Sequence, residues 1–150
     1  MKLTARERYA VRAMASLAAS YGAGPRSLAD VAGEQGIPFR YLEHIAQDLK
    51  RAGLVQSHRG ATGGYELARP PEGITVADVL RALEGDVLPM ECGTASSCFY
   101  HDRLEECVTR PLWLDLQQQI EGSLSRVTLA TVASRLSPET VEERSDGDGN

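Results

Sequence analysis

The feature that most constrains this chain is a change of period at Gly53. Before it, three segments read as helices. Thr4-Ala5-Arg6-Glu7 has the form of a capping box: a hydroxyl that accepts from the backbone, and a carboxylate three residues on that reaches back. Ala10, Met14, Leu17 and Tyr21 follow at helical spacing and predict one buried face, with the helix ending near Ser20. Ser27-Leu28-Ala29-Asp30 repeats the cap pattern and opens a short helix that Gly36 breaks. Pro38 suits the first turn of a third helix, which points Leu42, Ile45 and Leu49 inward and stops at Gly53. Beyond Gly53 the chain turns extended, in two short runs (54–59 and 65–68) around the tip Gly60-Ala61-Thr62-Gly63-Gly64. Two short helices joined by a glycine turn, followed directly by a hairpin, make a winged helix-turn-helix.

The rest of the chain reads as an appendage. Thr75-Val76-Ala77-Asp78 caps a fourth helix with Val79, Leu80 and Leu83 inward, ended by Gly85. Residues 86–110 lack a sustained period and contain Cys92, Cys98, His101 and Cys107; a loop of that length is usually functional. Pro111 starts a long helix whose stripe is Trp113, Leu116, Ile120, Leu124 and Val127, with a break at Thr128 before Leu129 and Val132. The expected fold is mainly α with a small β hairpin. It divides into a winged helix-turn-helix domain (1–85), a cysteine-rich loop (86–110), a dimerisation helix region (111–136) and a disordered acidic tail (137–150).

Charge is meaningful only when split along the chain. The net value is −5, but residues 1–69 carry +4, residues 70–136 carry −5 and the tail carries −4. Phosphate attraction depends on the local patch, so the basic N-terminal half is compatible with nucleic acid. No apolar run is long enough to span a membrane, and the N-terminus lacks a signal-peptide pattern, so the cytoplasm is expected. Three Cys without an export signal argue for metal or redox chemistry over a disulfide framework.

On the third helix the outward residues are Arg40, Tyr41, Glu43, His44 and Gln47. Arg can donate two bonds to guanine, Glu can accept from cytosine and Gln can pair with adenine. Ser27, at the start of the preceding helix, joins this DNA-facing set. In the hairpin, His58, Arg59 and Gly60 stand at the tip, where an Arg suits a narrow, negative minor groove. Gly63-Gly64 is no phosphate loop, because no Lys and helix follow in order. The cysteines, spaced Cys92-x5-Cys98-x8-Cys107, contain no CxxC pair. Three thiolates on one loop can hold an iron–sulfur cluster given a fourth ligand, or zinc with one His, or can be buried small hydrophobes. The Trp113 stripe serves either packing on its own subunit or a dimer, which a symmetric operator requires. No nucleophile–base grouping or cofactor fingerprint of an enzyme is present.

These residues resemble a known family. Met1-Lys2-Leu3-Thr4 with Arg8-Tyr9-Ala10, Leu28-Ala29-Asp30-Val31-Ala32, Tyr41-Leu42-Glu43, Gly53-Leu54-Val55 and Arg59-Gly60-Ala61-Thr62-Gly63-Gly64-Tyr65 look like the iron–sulfur winged-helix regulators of the IscR and NsrR type, the Rrf-two family. The cysteine loop, then Pro111-Leu112-Trp113 and Val127-Thr128-Leu129, resembles their sensor loop and dimer helix. The resemblance implies a homodimer on a pseudo-palindromic, double-stranded operator, with Arg40, Tyr41, Glu43, His44 and Arg59 facing DNA. It implies an iron–sulfur cluster, 2Fe–2S ahead of 4Fe–4S, on Cys92, Cys98 and Cys107.

The fourth ligand departs from both types. Where the IscR type has a His three residues after the third Cys, this chain has Arg110. Where the NsrR type has an acidic residue in the partner's first helix, it has Arg8, beside Glu7. His101 is the leading substitute, ahead of Glu7 from the partner, Asp102 and Glu105. The expected function is regulation of operator binding by cluster state, in response to redox, nitric oxide or iron–sulfur status. The alternatives are a cluster-free regulator that senses oxidants through thiols, and a dimeric adaptor that does not bind DNA.

Overall fold

The computed structural model describes residues 3–85 and 98–136. The expectations for Cys92, for the loop before residue 98 and for the tail 137–150 lie outside the described residues.

Helix α1 spans Ala5–Ala19 and begins at the capping box: Thr4 Oγ1 accepts from the Glu7 amide at 3.4 Å, and the Glu7 carboxylate accepts from the Thr4 amide at 2.6 Å. Ala10, Met14 and Leu17 form its buried face. Tyr21, expected on that face, lies past the C-cap Ser20 and is 45% exposed, because the helix has ended before it. Helix α2 (Leu28–Gln35) is capped by the Ser27 side chain and ends on Gly36 in the left-handed region. Helix α3 (Phe39–Arg51) follows Pro38 and buries Leu42, Ile45, Ala46 and Leu49. Gly53, with φ +74, turns the chain out of it.

Strands β1 (Val55–His58) and β2 (Gly64–Leu67) form an antiparallel hairpin in the register Val55↔Leu67 to His58↔Gly64. Only Val55 and Leu67 of this pair are fully buried, so the hairpin is rooted in the core and its tip stands clear. After a 3₁₀ turn (Pro71–Gly73), α4 (Val76–Glu84) starts at a second capping box, Thr75 with Asp78. A 3₁₀ turn at Leu104–Glu106 precedes α5 (Arg110–Ser125) and α6 (Leu129–Ala133).

One core joins α1, α2, α3 and the hairpin root, with Met14, Leu42, Ile45, Leu67, Ile74 and Leu129 at its centre. The C-terminal part returns to this core. Leu129 donates its amide to the Ile74 carbonyl at 2.8 Å, and Val76 donates to Val127 at 2.9 Å. Leu124, Val127 and Val132 pack on Val76, Ala77 and Leu80 of α4.

Candidate nucleic-acid interface and cysteine segment

Helix α3 is strongly amphipathic, and its polar face is the candidate reading surface. Arg40, Tyr41, Glu43, His44 and Gln47 are all exposed, because the core positions 42, 45, 46 and 49 occupy the opposite face. Tyr41 leans back on α1, meeting Tyr9 edge-on with ring centres 5.6 Å apart. Glu43 and Gln47 instead face the hairpin across a groove of about 390 Å³, whose other walls include Ser27, Gly60 and Gly64. Phe39 lines the same groove, one turn before Glu43. Phe39 is not among the outward residues expected from the sequence, although its spacing of four from Glu43 and eight from Gln47 puts it on their side of the helix.

The hairpin is held at both its sides. Lys50 of α3 donates to Ser57 Oγ at 2.6 Å. Arg26, just ahead of α2, exchanges two backbone hydrogen bonds with Tyr65, each 2.8 Å. That approach leaves no room for side chains: a Cβ on Gly64 would run into the Arg26 carbonyl and lie 2.9 Å from the Ser27 amide nitrogen. The Arg26 side chain is tied in turn to Glu34 and, at 2.8 Å, to Ser16 Oγ.

On the outer face of the hairpin, Glu66 accepts from Gln56 at 2.8 Å and meets His58 Nε2 at 2.6 Å. The Gln56 bond first, and His58 second, hold the Glu66 carboxyl below the usual carboxylate range. His58 is tied to the strand pair through Glu66 yet stays exposed, as do Arg59 and Gly60 at the tip, where Gly60 has φ +107.

Cys98 and Cys107 are free, half-buried thiols. The Thr109 hydroxyl, 3.5 Å from Cys107 Sγ, is the largest influence pulling that thiol below its ordinary range, helped by the Thr109 amide and Arg110. His101 is anchored twice: Nδ1 meets the Cys98 carbonyl at 3.1 Å and Nε2 meets Asp102 at 2.9 Å. Glu105 is exposed on the 3₁₀ turn. Glu7 is buried and its carboxylate is engaged by the α1 cap. Among the described residues, no three His, Cys, Asp or Glu side chains converge as a metal site. The donor types do suit a soft metal: two free thiols and an imidazole whose Nδ1 is oriented by a backbone carbonyl.

The α5 stripe splits in two. Leu124 and Val127 pack on α4, and Arg81 of α4 pairs with Glu121. Leu112, Trp113 and Leu116 remain open, at 58%, 39% and 37% exposure.

A helix-turn-helix with a glycine-tipped hairpin packed beside its third helix defines a winged-helix DNA-binding protein. Residues 3–135 match the Rrf2 family model, described as an iron-dependent transcriptional regulator. The chain belongs to the Rrf2 family of transcriptional regulators, which are not enzymes. It is 38% identical to the HTH-type transcriptional regulator IscR of Serratia proteamaculans, over 99% of this chain and 88% of that protein. Among solved structures, it resembles T. potens IscR with a TM-score of 0.73 and 37% identity, covering 93% of this chain and 90% of the other. It also resembles CymR, the global cysteine regulator of B. subtilis, with a TM-score of 0.75 and 34% identity, covering 91% and 99%. The adaptor alternative is set aside by this family membership. No helix among the described residues is long and apolar enough to cross a membrane.

Proposed function

We propose that this chain is a cytoplasmic homodimeric regulator whose operator affinity depends on an iron–sulfur cluster held by Cys92, Cys98 and Cys107, 2Fe–2S ahead of 4Fe–4S. The observation that carries this reading is the pair of free thiols at Cys98 and Cys107, with the Thr109 hydroxyl 3.5 Å from Cys107 Sγ. They stand in a chain similar to IscR over nearly its whole length. When bound, the cluster supplies a cross-link that oxidants, nitric oxide or iron shortage can remove.

The chain's own residues provide the linkage. The cysteine segment leads straight into α5, and α5 is joined to the DNA-reading body through Arg81–Glu121 and the packing of Leu124, with Val127 just beyond the helix end, on α4. The segment, when it holds a cluster, biases the path of α5. If the open Leu112–Trp113–Leu116 surface meets a second copy, that path sets the spacing of the two α3 helices on DNA. Couplings of this kind run to about 1–3 kcal/mol, and the effect is reciprocal between effector and operator.

For the fourth ligand, His101 is the best-oriented candidate, and it must release Asp102 to present Nε2. Asp102 and Glu105 are exposed alternatives; Glu7 would have to leave its cap. The domain divisions 1–85, 86–110, 111–136 and 137–150 belong to this proposal.

The test is anaerobic purification with iron and sulfide analysis and absorbance and Mössbauer spectra, on the wild type and on single Cys→Ala variants at 92, 98 and 107. Bound iron lost in each variant is expected. A colourless wild type without iron or sulfide, even after reconstitution, refutes the cluster. The two free thiols and the likeness to CymR, one solved structure of which is described as an oxidized form, favour a second reading, cluster-free sensing of oxidants through thiols. It predicts operator binding that responds to peroxide in iron-free protein and no longer does so in C107A.

A further inference from the structure

We propose that Phe39 reads the C5-methyl group of a thymine in the operator, as the apolar member of a base-reading row completed by Glu43 and Gln47. The inference rests on α3 being the helix that enters the major groove.

Phe39 is the first residue of α3 and is 46% exposed, although it is one of only two Phe in the chain. Leu42, Ile45 and Leu49 already fill the core side of the helix, so the ring is left on the outer face. It lines the groove between α3 and the hairpin together with Glu43 and Gln47. Residues four apart lie about 6 Å apart along a helix, so the row extends about 12 Å. At 3.4 Å per base pair, that row spans three to four steps. The N-terminal end of a recognition helix is the end that meets base edges, which places Phe39 deeper than Gln47.

An aromatic ring offers no hydrogen bond to a base edge. The one major-groove feature it complements is the thymine methyl. Glu43 complements a donor such as cytosine N4, and Gln47 complements adenine. The row therefore carries three different chemistries in sequence, and each predicts a preference at its own position.

The probe is a duplex enriched from a random-sequence pool by the intact chain, with each thymine replaced singly by deoxyuridine, which removes only the methyl. Wild type is expected to lose about fourfold in affinity at one thymine of each half-site, the value of one buried methyl group. Phe39→Ala should bind the thymine and deoxyuridine duplexes equally there, and Phe39→Leu should keep part of the discrimination. Circular dichroism and melting of each variant confirm that the fold is retained. The proposal is overturned if Phe39→Ala keeps the full discrimination, or if wild type is indifferent to every replacement. Glu43→Ala and Gln47→Ala separate the two levels of the claim. If they shift base preference while Phe39→Ala leaves methyl discrimination intact, only the role of Phe39 falls. If all three leave base preference unchanged, the assignment of α3 falls as well.

Discussion

Replacing Gly64 by Ala tests whether the wing is held by backbone contact or merely rests against the body. Gly64 has φ +148, in the range that L side chains avoid, and an added Cβ would collide with the Arg26 carbonyl. Backbone on both sides must move, so the two 2.8 Å hydrogen bonds of the Arg26–Tyr65 bridge are lost. Two such bonds are worth about 2 kcal/mol together, and the strained backbone adds about 1–2 kcal/mol. The expected loss is therefore about 3–4 kcal/mol, a large share of a stability that typically lies at about 5–15 kcal/mol. For a chain of this size that is a fall in melting temperature of roughly 10 °C.

The assay is urea and thermal unfolding followed by circular dichroism, with Gly33→Ala as the control. Gly33 sits inside α2 with open space where a Cβ would go, so Ala there should be neutral or stabilising by up to about 1 kcal/mol. A G64A protein within about 0.5 kcal/mol of wild type, the range of an ordinary surface change, would refute the reasoning. So would a G33A variant destabilised as much as G64A, because the effect could then not be assigned to the bridge.

Thr4→Ala removes the acceptor of the α1 capping box and should destabilise the protein by about 1 kcal/mol, measured by urea unfolding; an unchanged midpoint would refute the cap. Gln56→Leu removes the largest influence on Glu66, so the Glu66 carboxyl should titrate at higher pH in an NMR titration. The sign follows from the depressed folded value. The stabilisation associated with Glu66 is present above the usual carboxylate range and is lost as pH falls through the folded value, so Gln56→Leu should weaken that acid dependence. An unmoved Glu66 titration would show that Gln56 does not hold it.

Much of the local architecture is legible in the chain alone because it depends on residues three or four apart. Thr4 with Glu7, Ser27 with Asp30 and Thr75 with Asp78 each meet within one helical turn, so the helix starts can be read without knowing what they pack on. Gly36 and Gly53 close helices for an equally local reason, since both adopt positive φ. The hydrophobic period likewise separates Leu42, Ile45 and Leu49 from the outward row on α3.

What tertiary structure decided involves partners far apart in the chain. Period alone assigned Tyr21 to the buried face, but the helix ends first and leaves it 45% exposed. The stripe from Trp113 to Val127 looks uniform in sequence, yet its C-terminal end, Leu124 and Val127, packs on α4 while Trp113 stays open. Glu7 reads from the sequence as the carboxylate of the α1 cap, and only the packing around α1 shows that it is also buried. The change of period at Gly53 announces a hairpin. That the hairpin stands beside α3 as a wing, with Phe39, Glu43 and Gln47 facing it, depends on the clasp between Arg26 and Tyr65 and on Lys50 bonding Ser57. A short strand pair carries no information about which surface it will dock on; burial of its root and these specific hydrogen bonds supply it.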